Sequence, residues 1–95
     1  MKDNKLYVIT FEDMIDDELD AGVYGDVVFE DIDDAVETIV KSILFEYSGC
    51  DIAKTPEEAL KSRILRDRNI SFSNDTGVMY SYYIHTMTLK TKGGN

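Results

Sequence analysis

The sequence predicts an α+β fold in which an antiparallel sheet of about four strands carries two helices on one face. Two observations lead to this prediction: strand-like segments lie near both ends of the chain, and a strong helical periodicity lies between them. The predicted order is β-β-α-α-β-β. The 95 residues suffice for one domain, predicted over residues 1–92, followed by a polar tail at residues 93–95.

Two strands are predicted before the helices. Residues 5–11 (KLYVITF) are rich in β-branched and aromatic side chains and are apolar on both faces, which favours a central strand. Residues 23–29 (VYGDVVF) have strand composition, and Gly25 indicates a bulge or a close backbone approach. Residues 12–21 between them hold six carboxylates, and their composition leaves a helical turn and a loop open.

The first helix is predicted from residue 32, where the spacing of apolar residues changes to that of an amphipathic helix. Asp31 and the carboxylates after it can cap free amide groups at its start, and Ser48 with Gly49 indicates its end. The predicted apolar stripe consists of Ile32, Ala35, Val36, Ile39, Val40, Ile43, Leu44 and Tyr47.

Residues 55–58 (TPEE) predict the start of a second helix, which extends to about Arg68. Thr55 and Glu58 have the spacing of a capping box, and proline is favoured at the first helical position. The predicted apolar stripe of this helix is narrower and consists of Ala59, Leu60, Ile64, Leu65 and Arg68.

A hairpin is predicted at the end of the chain. Residues 70–73 form its short strand, residues 74–77 (NDTG) have turn chemistry, and residues 78–90 form its long strand. The more β-branched face of the long strand is predicted to pack on the helices. That face consists of Val78, Tyr80, Tyr82, Ile84, Thr86 and Thr88.

The strong acidity restricts the partners. Nineteen acidic residues against ten basic ones give a net charge of −9, which repels nucleic acid and anionic membranes and attracts basic proteins. We therefore expect a basic protein partner, no direct nucleic-acid binding and no membrane binding. The single cysteine and the lack of a leader before residue 6 favour a cytoplasmic location.

The carboxylates are concentrated in residues 12–37, which hold twelve of them and no lysine or arginine. Arginine and lysine side chains that fit phosphate also fit carboxylate, so this segment can act as a DNA mimic in a basic groove. The alternative is a solvated acidic surface that caps helices and maintains solubility. The candidate partner-binding residues are Asp16, Asp17, Glu18, Asp20, Asp26, Glu30, Asp31, Asp33 and Asp34.

No motif predicts a catalytic, cofactor or metal site. Asp16, Glu18 and Asp20 match the first positions of a calcium loop, but Ala21 and Val27 replace the glycine and glutamate that such a loop requires. His85 is expected to be a packed or surface residue, and Cys50 a small buried hydrophobic residue.

The last strand offers a second candidate interface, a patch of Tyr80, Tyr82 and Tyr83 with Met79 and Met87 on whichever of its faces points outward. The candidate residues chosen from it are Tyr80 and Tyr82. Packing of one face against the helices is the alternative explanation for them. An interface here would make the chain an adaptor, antitoxin or immunity-type module with acids that serve solubility. A homodimer through an exposed sheet edge is compatible with either function.

In organisation the chain resembles the small acidic inhibitors of host defence that bacteriophages encode, of the anti-CRISPR and anti-restriction type. The resemblance is carried by the acidic residues 12–37, the opening strand 6–10 (LYVIT) and the closing strand 82–87 (YYIHTM). It implies stoichiometric, non-catalytic inhibition of a nuclease or CRISPR effector in the host cytosol.

Overall fold

The computed structural model describes residues 5–88 and confirms the predicted α+β fold and element order. The strands are β1 (Lys5–Ile15), β2 (Glu18–Val23), β3 (Asn69–Ser73) and β4 (Met79–Thr88), and the helices are α1 (Ile32–Glu46) and α2 (Glu57–Asp67). A short 3₁₀ turn at Asp51–Lys54 connects the helices. The predicted tail at residues 93–95 and the predicted end of the last strand, residues 89 and 90, lie outside the described residues.

The four strands form one antiparallel sheet in the order β2-β1-β4-β3. β1 is central, as predicted, and pairs with β4 from Lys5↔Thr88 to Met14↔Met79. On its other side β1 pairs with β2 from Thr10↔Val23 to Ile15↔Glu18. The molecule is elongated, with extents of 52 × 31 × 19 Å.

The acidic residues 12–21 belong to a β-hairpin. Both predicted alternatives for this segment, a helical turn and a loop, are therefore wrong. β1 continues to Ile15, and β2 begins at Glu18 after a turn of only two residues. Asp16 and Asp17 both have positive φ, 49° and 67°, as a two-residue turn with the right-handed twist of the strands requires. Aspartate tolerates this conformation better than most residues.

The strand predicted over residues 23–29 is wrong beyond its first residue. Gly25 has φ 63° and interrupts the extended chain, and only Phe29 pairs again, by hydrogen bonds of 2.8 Å in both directions with Tyr7. The amide of Tyr24 still donates to the carbonyl of Ile9 (2.9 Å). Residues 24–29 therefore run along β1 on the same side as β2.

Helix α1 matches its prediction closely, and its apolar stripe supplies five of the thirteen buried apolar residues of the core. Ala35, Val36, Ile39, Val40 and Ile43 are all buried. The predicted cap is present: the amide of Asp33 donates to Oδ1 of Asp31 (3.0 Å). The helix ends at Glu46, two residues before the predicted stop.

Helix α2 begins at Glu57, and the predicted capping box is not formed. Pro56 has an extended ψ of 140°, so it precedes the helix and is not its first residue. Thr55 is consequently one residue too far from the helix to cap it. Leu60 and Ile64 are buried, whereas Leu65 is 41% exposed and Ala59 and Arg68 are exposed, so the predicted stripe is too wide.

The last hairpin closes the core from the sheet side. Asn74 Oδ1 accepts the amides of Thr76 (2.9 Å) and Val78 (3.0 Å), which fixes the predicted turn. The predicted inner face of β4 is confirmed at its centre, where Tyr82 and Ile84 are buried. Among the described residues no helix has the length and apolar character needed to cross a membrane.

Candidate interaction surfaces

Nine exposed carboxylates lie in the β2 hairpin, in residues 24–31 and in the first turn of α1. β2 is an outer strand of the sheet, residues 24–29 continue beside β1, and the first turn of α1 comes next. All nine predicted acidic residues are exposed, and Asp33 also lines a shallow pocket with Glu58 and Lys61 of α2. We call the surface of these nine residues the acidic edge; it consists of Asp16, Asp17, Glu18, Asp20, Asp26, Glu30, Asp31, Asp33 and Asp34.

The acidic edge has two groups of carboxylates. Asp16, Asp17, Glu18 and Asp20 surround the hairpin turn, and the other five lie beside the opposite end of β1, where Phe29 pairs with Tyr7. Eight residues of β1 separate Tyr7 from Ile15, a distance of about 26 Å. Residues 21–25, which carry no acid, lie between the groups.

The groups differ in their structural roles. Asp31 caps α1, and Asp33 and Asp34 lie in its first turn, where negative charge is favourable. Asp16 and Asp17 occupy the turn, but Glu18 and Asp20 are exposed strand residues, a position for which acids have low propensity. Helix capping therefore does not explain why the hairpin carries carboxylates.

Three carboxylates of residues 12–37 do not belong to the acidic edge. Glu12 points to the sheet face that the helices leave open, and Glu37 pairs with Lys41 on α1 (3.4 Å). Asp13 is partly buried, and it lies directly opposite the exposed Asp20 of β2, so both side chains point to the helix side of the sheet. The pKa of Asp13 is raised, mainly by its partial burial and to a smaller extent by the negative charge of Asp20.

The lysines and arginines lie mainly on the other side of the molecule. α2 packs against β3, the strand farthest from β2, and it carries Lys61, Arg63 and Arg66. Lys61 pairs with Glu57 (3.3 Å), Arg66 with Asp67 (2.8 Å) and Lys54 with Asp51 (3.4 Å). These cations thus contact carboxylates of their own region, and the molecule has an acidic side and a charge-balanced side.

A second surface is the sheet face opposite the helices. It exposes Leu19 (57%), Val23 (54%), Met87 (51%), Met79 (47%) and Met14 (42%). We call it the open sheet face; the register assigns to it Leu6, Val8, Thr10, Glu12, Met14, Leu19, Ala21, Val23, Asn69, Ser71, Ser73, Met79, Ser81, Tyr83, His85 and Met87.

The centre of this face near the hairpin is a shallow pocket of about 190 Å³ lined by Glu12, Met14, Leu19, Met79 and Ser81. The outward face of β4, with Met79, Tyr83 and Met87, is one of the two faces predicted as a second interface, whereas the contribution of Leu19 was missed because residues 12–21 were not predicted as strands.

The tyrosines proposed for a second interface are on the covered side of the sheet, so this choice is corrected. Tyr82 is 3% exposed and cannot meet a partner. Its hydroxyl lies 2.7 Å from that of Ser42. Tyr80 is partly buried, with its ring 4.5 Å from that of Tyr47. The tyrosine on the open sheet face is Tyr83.

The remaining candidates for chemistry have structural surroundings. The Nε2 atom of His85 lies 2.7 Å from the hydroxyl oxygen of Thr10 on the open sheet face. Cys50 is 5% exposed, which confirms its prediction as a buried small residue. Within residues 5–88 no three histidine, cysteine, aspartate or glutamate side chains are grouped so that they could hold a metal ion.

Comparison with protein-family models, with curated proteins and with solved structures finds no match for this chain. The functional proposal therefore depends on the two surfaces and on the charge distribution.

Proposed function

We propose that this protein is a non-catalytic binding protein whose acidic edge occupies the basic, nucleic-acid-binding surface of a partner protein. The observation that supports the proposal is the concentration of nine exposed carboxylates in the β2 hairpin, beside the other end of β1 and at the start of α1. These carboxylates all belong to residues 12–37, the segment that carries the excess of negative charge.

The net negative charge of the protein comes mainly from residues 12–37. Residues 38–88 hold six carboxylates and six lysines or arginines, so they are balanced, whereas residues 12–37 hold twelve carboxylates and no base. A field of this kind steers a basic partner toward the acidic side before contact. Association is then fast and sensitive to salt.

The spacing of the carboxylates suits a surface that binds phosphates. About 26 Å of duplex DNA carries roughly fifteen phosphates, and the acidic edge presents nine carboxylates over a similar length. Arginine forks bind carboxylate and phosphate with the same two-point geometry. The two acidic groups would contact two basic patches that normally hold nearby parts of a nucleic-acid backbone.

The proposed partner is a nuclease or another nucleic-acid-handling protein, of the kind that phage inhibitors of host defence block. Inhibition would be stoichiometric and would occur in the cytosol of the host cell. No bond is made or broken in this mechanism, since the acidic edge acts by excluding the nucleic acid from its site.

The test is capture from a bacterial lysate by the immobilised full chain, with two variants of equal charge. The first variant neutralises the hairpin group by Asp16→Asn, Asp17→Asn, Glu18→Gln and Asp20→Asn; asparagine tolerates the positive φ of the turn. The control neutralises four exposed acids elsewhere, by Asp51→Asn, Glu57→Gln, Glu58→Gln and Asp75→Asn.

We expect the wild type and the control to capture nucleic-acid-binding proteins at about 0.05 M salt, with release near 0.5 M salt or by excess duplex DNA. The hairpin variant should capture at least about tenfold less, since several charge-assisted contacts are lost. Equal loss in both variants would mean that net charge alone acts, and capture that is insensitive to salt would contradict the proposal.

The open sheet face favours a second candidate function, a protein-binding module of adaptor or immunity type. Methionine and tyrosine are enriched in protein interfaces, and here Met14, Met79, Met87 and Tyr83 supply them, not Tyr80 and Tyr82. Under this function the hairpin variant would bind its partner normally, and Leu19→Asp would abolish binding.

A further inference from the structure

The outer edge of β2 directs backbone hydrogen-bonding groups into solvent. β2 stands at the end of the sheet and pairs with β1 on its inner side. The amide of Tyr24 donates to the carbonyl of Ile9, and hydrogen-bonded positions alternate along an antiparallel pair, so every second residue before Tyr24 bonds to β1. The residues between them direct their amides and carbonyls away from the sheet; these are Leu19, Ala21 and Val23.

These outward groups have no hydrogen-bond partner within residues 5–88. The chain that leaves β2 bonds to β1, at Tyr24 and Phe29, and not to the outer edge of β2. Every residue of β2 except Gly22 is exposed. An open strand edge of this kind accepts an extended segment of another chain, because main-chain hydrogen bonds form along its whole length.

The side chains of β2 define the chemistry of the segment that fits. Glu18 and Asp20 point to the helix side of the sheet, whereas Leu19, Ala21 and Val23 point to the open sheet face. A strand added beside β2 places its own side chains alternately next to these two sets. It therefore matches β2 when basic residues alternate with apolar ones.

The charge opposes a second copy of β2 as the added strand. Another β2 brings its own Glu18 and Asp20, with the two aspartates of the turn, to the same edge. Like charges on neighbouring strands destabilise their pairing, and charged side chains protect sheet edges from self-association in this way. The other outer strand, β3, has no charged residue, so a basic segment finds no opposite charge on it.

We propose that the outer edge of β2 binds an extended segment of the basic partner as an additional strand, in which basic and apolar residues alternate. The inference rests on the proposed function, because it adds main-chain pairing to the charge contacts of the hairpin group. Lysine or arginine side chains of the segment lie beside Glu18 and Asp20, and its apolar side chains lie beside Leu19 and Val23. The six residues of β2 give the contact a length of about 20 Å.

The experiment uses the full chain and two synthetic peptides at about 0.05 M salt. In the first peptide lysine and valine alternate over about seven residues, and the control peptide has the same composition with its lysines grouped together. NMR titration measures both dissociation constants, and amide hydrogen exchange reports on the outer edge of β2. We expect the alternating peptide to bind at least about tenfold more tightly and, at saturation, to slow exchange at Leu19, Ala21 and Val23 by at least about tenfold.

Ala21→Pro tests the main-chain pairing, because it removes an outward amide and leaves every carboxylate in place. Proline is tolerated on an edge strand where the amide faces solvent. Ser71→Pro is the matched control on β3: the amide of Ile84 donates to the carbonyl of Arg68, so the same alternation directs the amide of Ser71 outward. Ala21→Pro should weaken binding of the alternating peptide at least about tenfold, and Ser71→Pro should leave it unchanged.

Equal binding of the two peptides with unchanged amide exchange overturns the inference and leaves the acidic edge to act through side-chain charge alone. Binding of neither peptide overturns it too, as does equal affinity of Ala21→Pro and the wild type. Circular dichroism checks that both proline variants fold, and amide exchange in the wild type decides the question without them. Failure of the proposed function is a different result: the alternating peptide pairs with β2, but the full chain captures no nucleic-acid-binding protein from a lysate.

Discussion

The hydroxyl of Tyr82 on β4 lies 2.7 Å from that of Ser42 on α1, inside the core. Ser42 donates its own hydrogen to Oε2 of Glu46 (2.8 Å), so the hydrogen of this contact comes from Tyr82. Burial raises the pKa of Tyr82 and keeps its hydroxyl a donor. Tyr24 also donates to Glu46 (3.0 Å), so one carboxylate collects hydrogen bonds from α1 and from the segment after β2.

Removing the hydroxyl of Ser42 and removing the hydroxyl of Tyr82 should destabilise the fold to different extents. Ser42→Ala removes the acceptor that Tyr82 has in Ser42 and leaves its buried hydroxyl only the hydroxyl of Tyr47, so it should cost about 1–2 kcal/mol. Tyr82→Phe removes the hydroxyl itself and should cost about 1 kcal/mol, because Ser42 keeps its bond to Glu46. Urea unfolding of both variants measures the difference, and a larger cost for Tyr82→Phe would contradict the assigned direction of the bond.

Two leucines of α2 provide a test of which face of that helix is buried. Leu60 is fully buried, and Leu60→Ala should lower the free energy of unfolding by about 2–5 kcal/mol, because it removes apolar contacts and leaves a cavity. Leu65 is 41% exposed, so Leu65→Ala should cost less than about 1 kcal/mol. Equal effects in urea unfolding would show that the helix is rotated about its axis.

How much of the fold can be predicted depends on how strongly each segment is buried. Helix α1 was predicted nearly to its ends because its buried side, including Ile39 and Ile43, repeats every three to four residues over its whole length. The inner face of β4 was predicted from its β-branched residues and is buried at Tyr82 and Ile84, whereas Thr86 and Thr88 are exposed. The apolar pattern is strong where one side of an element is fully covered.

The acidic hairpin could not be predicted because its stability comes from tertiary pairing. Its residues have low strand propensity, and its turn, Asp16 and Asp17, lacks the usual glycine. β1 is held to Met14 by pairing with Met79 of β4, which is sixty-five residues later in the chain. Tyr82 was chosen for a partner site because composition does not distinguish an interface tyrosine from a buried one.

Asp13 should make stability depend on pH in a defined direction. Its pKa in the folded protein is raised by partial burial and then by Asp20, so its ionised form is less favourable in the folded state than in the unfolded state. The penalty is present above the folded pKa, decreases as pH falls through it, and is absent below the unfolded value near 4.

Asp13→Asn should therefore raise the free energy of unfolding at pH 7, and with it the melting temperature. The gain should be at most about 0.5 kcal/mol, because solvent screens the interaction between Asp13 and Asp20. The gain should vanish near pH 3. Asp75→Asn, at an exposed turn residue, makes the same change in net charge and is the control. A gain for Asp13→Asn that persists at pH 3 would show that its cause is packing and not charge.

The hairpin turn should be improved by glycine at its second position. Asp17 has φ 67°, where a side chain costs about 1 kcal/mol and glycine costs little, and turns of this type favour glycine there. Asp17→Gly should therefore stabilise the protein by about 0.5–1 kcal/mol in urea unfolding, less the entropy that glycine adds to the unfolded chain. Asp26→Gly removes the same charge where φ is not positive, and it should be neutral or destabilising. If both variants gained equally, the relief of charge repulsion along the acidic edge would explain the effect, and the two-residue turn would not.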